Sequence, residues 1–136
     1  MKVPTLEEIR KSLIKDQESF AENELVELGE KINQICVLDT EGDINFKKNL
    51  GDKEKIKFAL IARFIARKIE DFFKDKEDDK RIKPYMTNEE LEKMLKSSKA
   101  QVRARLSDLR KENFVDSLEG KHQIKPLLIH KILQNG

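Results

Sequence analysis

The chain has 136 residues, enough for one domain or for one domain with an appendage, and 40% of them are charged. No stretch approaches the ~20 consecutive apolar residues of a membrane-spanning helix, and the N-terminus lacks the apolar run of a signal peptide. These two features predict a cytoplasmic protein. The single cysteine, Cys36, excludes an internal disulfide framework and a zinc site built from cysteine pairs.

The two parts of the chain differ in charge. Residues 1–80 carry 16 basic and 19 acidic side chains, whereas residues 81–136 carry 12 basic and 7 acidic ones. One interpretation is that an N-terminal module binds another partner and that the C-terminal module after it binds nucleic acid. The alternative is that lysine-rich surfaces vary by this much without any function.

The first thirty residues predict two helices. Thr5 and Glu8 have the spacing of a capping box, and they open a helix with an apolar stripe. The stripe consists of Leu6, Ile9 and Leu13, with Phe20 further along. A second short helix is predicted to be capped by Asn23 and to end at Gly29. A strand through residues 24–28 is the alternative.

Two runs of β-forming residues then flank a glycine-containing turn. Residues 34–39 and 44–48 are these runs, and DTEGD lies between them at 39–43. The pattern predicts a β-hairpin in which Cys36 is a small buried hydrophobe. The acidic turn does not match a calcium-binding loop, because its glycine comes too early and position 50 is leucine instead of glutamate.

A long helix starting near Lys53 is the most apolar stretch of the chain. Its apolar residues cover well over half of its circumference, so we expect it to be buried on several sides and to act as the central strut. These residues are Ile56, Phe58, Leu60, Ile61, Phe64, Ile65, Ile69, Phe72 and Phe73. The charged run 74–81 ends this helix, and its interleaved lysines argue against a metal site.

The next elements are a short strand and a short helix. Residues 82–86 predict an edge strand, because Pro84 cannot donate to a ladder. Thr87 and Glu90 form a second capping box, which opens the short helix.

The stretch SKAQVRARLSDLRKENFV at 98–115 predicts a further helix and its end. Ser98 caps the helix, and one apolar face consists of Val102, Leu106 and Leu109. Asn113 stands at the left-handed position where the chain leaves the helix. A second hairpin is predicted around Glu119–Gly120, and Pro126 is predicted to start a last helix over 127–134.

This order of elements over residues 53–125 resembles the winged helix-turn-helix superfamily. The resemblance rests mainly on 98–115: the serine cap, Val102 and Leu109 in the core, and Asn113-Phe114-Val115 where the family usually has glycine and two apolar residues. It implies an α+β, mostly α fold, with a winged helix-turn-helix domain and C-terminal helix at 52–136. An N-terminal helix and β-hairpin unit would occupy 1–51. A small unit before a winged helix is similar to an arrangement in archaeal proteins.

Winged helices mostly bind duplex DNA, with the second helix in the major groove and the hairpin wing on the backbone. The resemblance therefore implies a transcriptional regulator, with helix 98–112 in the groove and wing 116–125 on the backbone. Gln101 has the donor and acceptor that read adenine, and Arg103 has the fork that reads guanine or phosphates. The DNA-binding residues carried over are Ser98, Lys99, Ala100, Gln101, Arg103, Ala104, Arg110, Lys121, His122 and Lys125.

The alternative is a winged helix that assembles with another protein and binds no DNA. Residues 96–125 carry eight basic and four acidic side chains, a modest excess for a DNA reader. Asp108, Asp116 and Glu119 are among the acids, and the candidate partners of Asp108 are Arg105 and Lys111. An enzyme is not expected, since the chain has no phosphate-binding glycine loop, no HExxH and no serine elbow. No cofactor or metal is expected.

The last predicted helix is more apolar than a small domain needs. Five of its residues are apolar: Leu127, Leu128, Ile129, Ile132 and Leu133. Together with the first helix they predict a homodimer, which suits a duplex with two half-sites. The alternative is that the two helices cover each other within one chain.

Overall fold

The computed structural model describes residues 5–6 and 20–134. Within these residues the fold is α+β. Its helices are α1 (Glu22–Asn33), α2 (Asp52–Phe73), α3 (Asn88–Leu95), α4 (Lys99–Lys111) and α5 (Ile129–Gln134). Short 3-10 turns span Asp78–Lys80 and Pro126–Leu128. The predicted first helix lies mostly on 7–19, outside the described residues.

The strands form two small antiparallel sheets. One pairs β1 (Cys36–Leu38) with β2 (Ile44–Phe46). The other contains β3 (Met86–Thr87), β4 (Val115–Leu118) and β5 (Lys121–Ile124) in the order β3-β5-β4. No helix in the described part of the chain is long and apolar enough to cross a membrane.

The helix α2 is the central strut, as predicted. Its residues Ile56 and 58–65 are buried, and it contacts α1, β1, α3, α4 and β5. The prediction is wrong for the last turn, where Phe72 and Phe73 are 54% and 68% exposed. These two rings pack edge to face on each other, with their centroids 5.6 Å apart, and Lys74 ends the helix in a left-handed conformation with φ 54°.

The helix α1 continues beyond its predicted end at Gly29. A glycine inside a helix costs about 1 kcal/mol relative to alanine. The buried stripe of Leu25, Leu28 and Ile32 spans this position, and α1 packs on α2. The burial of Ile32 offsets the cost of having Gly29 inside the helix. The helix begins after Ala21 and not after Asn23, and the alternative of a strand at 24–28 is wrong.

The first hairpin is confirmed, and Cys36 is buried as predicted. Its turn is shaped by Asp39, whose Oδ1 accepts hydrogen bonds from the backbone N–H groups of Glu41 (2.8 Å) and Asp43 (3.0 Å). Gly42 has φ +89°, and a Cβ there would lie 3.0 Å from Arg63 Nε. Glycine is therefore required by both the backbone conformation and the approach of the guanidinium.

Arg63 is 2% exposed at the middle of α2 and joins three segments. Its Nε donates to the Gly42 carbonyl (2.6 Å) and its NH1 to the Tyr85 carbonyl (3.0 Å). Its NH2 forms an ion pair with Glu90 of α3. Burial raises the pKa of Glu90, but hydrogen bonds from Arg63 and Thr87 outweigh it and leave that pKa lowered.

The capping box of α3 and the Ser98 cap of α4 are confirmed, and Gln101 completes a second box at α4. Thr87 Oγ1 accepts from the Glu90 N–H (3.2 Å), and Ser98 Oγ accepts from the Gln101 N–H (3.2 Å). The predicted core face of α4 is also confirmed, since all of its residues are at most 1% exposed: Val102, Leu106 and Leu109. The edge strand begins only at Met86, so Pro84 precedes the ladder instead of lying in it.

The end of α4 and the second hairpin follow the prediction. Asn113 has φ 64°, and the Phe114 N–H bonds the Leu109 carbonyl (2.9 Å). In the hairpin turn Glu119 and Gly120 have φ 52° and 77°, the signs that a type I′ turn requires. Because β5 lies between β3 and β4, it is the central strand of its sheet.

The last helix starts later than predicted, since Pro126 opens a 3-10 turn and α5 begins at Ile129. Ile129 and Leu133 are buried, α5 packs on α1, and Leu127 remains 67% exposed. The buried residues form one continuous cluster from α1 to α5, across the predicted boundary at 51/52.

The buried face of α4 provides the first test. Leu106→Ala should lower the free energy of unfolding by about 2–5 kcal/mol, because it removes a fully buried side chain. Chemical denaturation measures this, with the exposed Lys111→Ala as the control. A loss under about 0.5 kcal/mol would contradict the helix register.

Arg63 provides the second test. Arg63→Met should cost roughly 3 kcal/mol, because it leaves Glu90 and two backbone carbonyls without their partner. Arg105→Met is the matched control, since in the described residues the ion pair of Arg105 is a surface contact with Asp108 at 3.4 Å. Such a pair contributes about 0–1 kcal/mol. Equal losses in both variants, measured by urea denaturation, would show that Arg63 is not the organising contact.

Candidate nucleic-acid interface

The exposed side of α4 carries most of the predicted DNA-binding residues. With 100° per residue, the buried face places Lys99, Arg103 and Arg110 along one edge of the helix. Ala100 and Ala104 are exposed and leave the outer surface low. Within the described residues none of the three cations forms an ion pair. This edge is therefore basic and sterically open.

Acidic side chains reduce this positive charge. Glu89 and Glu92 of α3 line a cavity of about 90 Å³ together with Lys99 and Arg103. Asp108, on the other side of α4, pairs with Arg105 at 3.4 Å, one of the two partners considered from the sequence. The carboxylates next to the basic edge are thus Glu89 and Glu92, whereas the charge of Asp108 is shared with Arg105.

The first turn of α4 uses two predicted contacts for its own cap. Gln101 Oε1 accepts from the Ser98 backbone N–H at 3.4 Å, and Ser98 Oγ accepts from the Gln101 backbone N–H at 3.2 Å. A bidentate contact with adenine needs both the donor and the acceptor of the amide. Gln101 would therefore have to leave the cap in order to read a base.

The two predicted lysines of the hairpin have different surroundings. Lys121 is exposed, and its Nζ lies 4.9 Å from the centre of the Tyr85 ring, a cation–π contact. Lys125 lies at the base of the hairpin, where its Nζ is 3.7 Å from Asp116 Oδ1. Lys121 is free of carboxylate partners within the described residues, whereas the charge of Lys125 is shared.

His122 does not lie where the sequence predicts. It was expected at the exposed wing tip as a DNA contact, but its side chain is 4% exposed and both ring nitrogens are hydrogen-bonded. The two-residue turn places position 122 opposite Ser117 on the inner face of the sheet. The predicted exposed position of His122 at the wing tip is therefore wrong.

The hydrogen bonds of His122 connect three elements. Nε2 lies 2.7 Å from Asn88 Oδ1 at the start of α3, and Nδ1 lies 2.6 Å from Ser117 Oγ on β4. Since an amide oxygen only accepts, Nε2 carries the proton and Nδ1 accepts from the Ser117 hydroxyl. Burial lowers the pKa of His122, and the nearby Arg110 lowers it further.

Arg110 of α4 completes this group. Its NH1 donates to Ser117 Oγ at 3.2 Å, so the exposed edge of α4 is bonded to the hairpin. A serine next to a histidine also suggests a nucleophile and its base. Here, however, the guanidinium engages the outer lone pair of that oxygen. The arrangement suits a fixed polar surface better than acyl transfer.

Sequence reasoning missed Asn88, Ser117 and Tyr85. For Ser117 a signal existed, because a two-residue turn at Glu119–Gly120 places 117 opposite 122. For Asn88 and Tyr85 no signal existed, since their partners lie more than thirty positions away.

The other polar candidates stay outside this surface. Burial raises the pKa of the Cys36 thiol to about 11, although Lys47 opposes the shift, so the thiol is unreactive at neutral pH. His130 is half-buried and lies 3.3 Å from Glu24 Oε2. The described part of the chain contains no cluster of three or more metal-ligating side chains.

Comparison of the chain with protein-family models, with curated proteins and with solved structures gave no match. The function is therefore inferred from the residues and their geometry.

Proposed function

We propose that the protein binds duplex DNA through α4 and the β4–β5 hairpin and acts as a transcriptional regulator of the winged helix-turn-helix type. The observation that carries the proposal is the bond from Arg110 to Ser117. It joins the basic edge of α4 to the hairpin, so a helix and a β-ribbon form one surface. Such a surface matches a major groove and the adjoining backbone.

The order of elements supports this proposal. Three residues, 96–98, join α3 to α4, and Lys96 among them has a left-handed φ of 54°. The hairpin follows α4 directly and pairs with β3, which precedes α3. A helix pair with a tight turn, flanked by a small antiparallel sheet, is the arrangement that the resemblance implies.

The charges support it as well. Among the predicted DNA-binding residues, the cations without a carboxylate partner in the described residues are Lys99, Arg103, Arg110 and Lys121. Phosphate contacts supply most of the affinity of DNA-binding proteins, and base contacts add specificity. In this proposal Arg103, beside the low surface of Ala100 and Ala104, is the principal candidate for a base contact.

The alternative function is assembly with another protein. It is favoured by Glu89 and Glu92, which border the basic edge, and by an apolar groove of about 560 Å³ between α1, β1 and α2. Carboxylates beside the basic edge weaken the binding of phosphates, but they do not oppose the binding of another protein. DNA is preferred, since the groove lies away from α4 and the hairpin.

DNA binding can be tested through its salt dependence. Counterion release gives a slope of about −0.9 per phosphate contact, so up to four cations predict roughly −4 per subunit in a log–log plot. Lys125 is left out of this set because of its contact with Asp116. Arg103→Ala should cost about 1–3 kcal/mol and relax preference at one position, whereas Lys121→Ala should weaken all sequences alike.

The matched control is Lys48→Ala, which removes an exposed cation next to the first hairpin, outside the proposed surface. The measurements are selection from random duplexes at moderate salt, followed by fluorescence anisotropy of the selected sequence. If selection enriches no sequence and both variants bind as the unaltered chain does, the assembly function replaces the DNA function.

A homodimer, predicted through the first and last helices, remains part of the proposal. Deletion of 127–136 would also remove the fully buried Ile129, so it tests folding together with association. Leu127→Lys is cleaner, because this side chain is 67% exposed. We expect a dimer in sedimentation at high micromolar concentration and weaker association in Leu127→Lys, with Leu118→Lys as the exposed control. A monomeric unaltered chain would exclude the dimer.

A further inference from the structure

We propose that Asn88, His122 and Ser117 are positioning residues for Arg110, and that Arg110 held in this way binds one phosphodiester group of the duplex. The proposal rests on the proposed function and adds one phosphate site with its supporting residues. The site lies where the last turn of α4 meets β4.

The hydrogen bonds of this group run in a single direction. Arg110 NH1 donates to Ser117 Oγ (3.2 Å), and the Ser117 hydroxyl donates to His122 Nδ1 (2.6 Å). His122 Nε2 then donates to Asn88 Oδ1 (2.7 Å). The Ser117 hydroxyl thus accepts one hydrogen bond and donates the next, and the His122 ring does the same. Hydrogen bonds linked in this way polarise and strengthen one another.

The exposed end of this chain of bonds is Arg110. A guanidinium has five N–H groups, and in the described residues only one of those of Arg110 is directed to a protein acceptor. The others remain for a ligand, and a planar fork suits two oxygens of one phosphate. The bond to Ser117 restricts the side chain to the hairpin side of α4, which reduces the conformational freedom lost on binding.

The surroundings of the site favour an anion. The groups that face His122 from β3, β4 and α3 are the uncharged Met86, Ser117 and Asn88, and in the described residues the charge that acts on it is that of Arg110. The carbonyl end of α4 carries partial negative charge, which the cations of its last turn, Arg110 and Lys111, offset.

The role of His122 is indirect. Its neutral form accepts the Ser117 proton, which keeps the serine oxygen available to Arg110. Loss of that acceptor would free the hydroxyl to rotate, and the guanidinium would then lose its position. The buried His122 on β5 therefore helps to hold the exposed Arg110 in position through Ser117 on the neighbouring strand β4.

The experiment is a double-mutant cycle on duplex binding, measured by anisotropy of a labelled short duplex over a series of salt concentrations. Arg110→Ala should weaken binding about tenfold and reduce the salt slope by about one. Ser117→Ala should weaken binding roughly threefold in the unaltered chain and leave it unchanged in the Arg110→Ala background. Ser117→Thr, which keeps the hydroxyl, should restore binding.

A variant of His122 and a control variant separate positioning from folding. His122→Gln should weaken binding to about the same extent as Ser117→Ala, while circular dichroism shows that it remains folded. Lys111→Ala controls for loss of a cation from the same turn. If Ser117→Ala weakens binding equally with and without Arg110, the serine acts on folding alone and the proposal falls.

The outcomes also separate this site from the proposed function. If the unaltered chain binds duplex and Arg103→Ala weakens it, but Arg110→Ala and Ser117→Ala change nothing, the function stands and the phosphate site falls. If the unaltered chain binds no duplex, both fall. Competition by inorganic phosphate at equal ionic strength would indicate a site for free phosphate in place of a duplex phosphodiester.

Discussion

The position of the second half of the chain depends on one buried cation. Among the described residues Arg63 and His122 are the buried polar side chains, and no buried side-chain nitrogen or oxygen lacks a partner. A guanidinium away from water is tolerated only when its N–H groups are satisfied. Arg63 meets this requirement with acceptors from the first hairpin, from the segment before β3 and from α3. These three segments therefore cannot shift independently.

The polar contacts of Arg63 continue into the candidate DNA surface at the N-terminal end of α3. Glu90, the partner of Arg63, is two residues from Asn88, which accepts from His122. Through Ser117 the bonds continue to Arg110 on α4. The central helix, α3, the hairpin and the end of α4 are thus joined by polar contacts as well as by the apolar core. For a surface that has to match a duplex, this connection sets the angle between helix and hairpin.

The charges on and beside α4 have opposing effects on the proposed binding of DNA. Open cations on α4 attract phosphates, whereas Glu89 and Glu92 repel them from one side. If the protein binds DNA as proposed, these carboxylates offset part of the attraction, so shape and base contacts would have to provide much of the discrimination. The short side chains of Ala100 and Ala104 would allow a duplex to approach the backbone of α4 closely. The apolar groove between α1, β1 and α2 leaves room for a separate partner on another face.

The sequence by itself determined the features that depend on near neighbours. The capping box at Thr87, the cap at Ser98, the left-handed Asn113 and both hairpins need contacts only a few positions away, and all are observed. The apolar face of α4 is visible in the local spacing of its residues, although distant elements bury it. Tertiary structure decided the rest. Packing on α2 extends α1 through Gly29, and in the described residues Phe72 stays 54% exposed although its ring contacts Phe73. The burial of His122 and the role of Arg63 depend on residues far along the chain, and no local pattern specifies which distant acceptors a buried donor will meet.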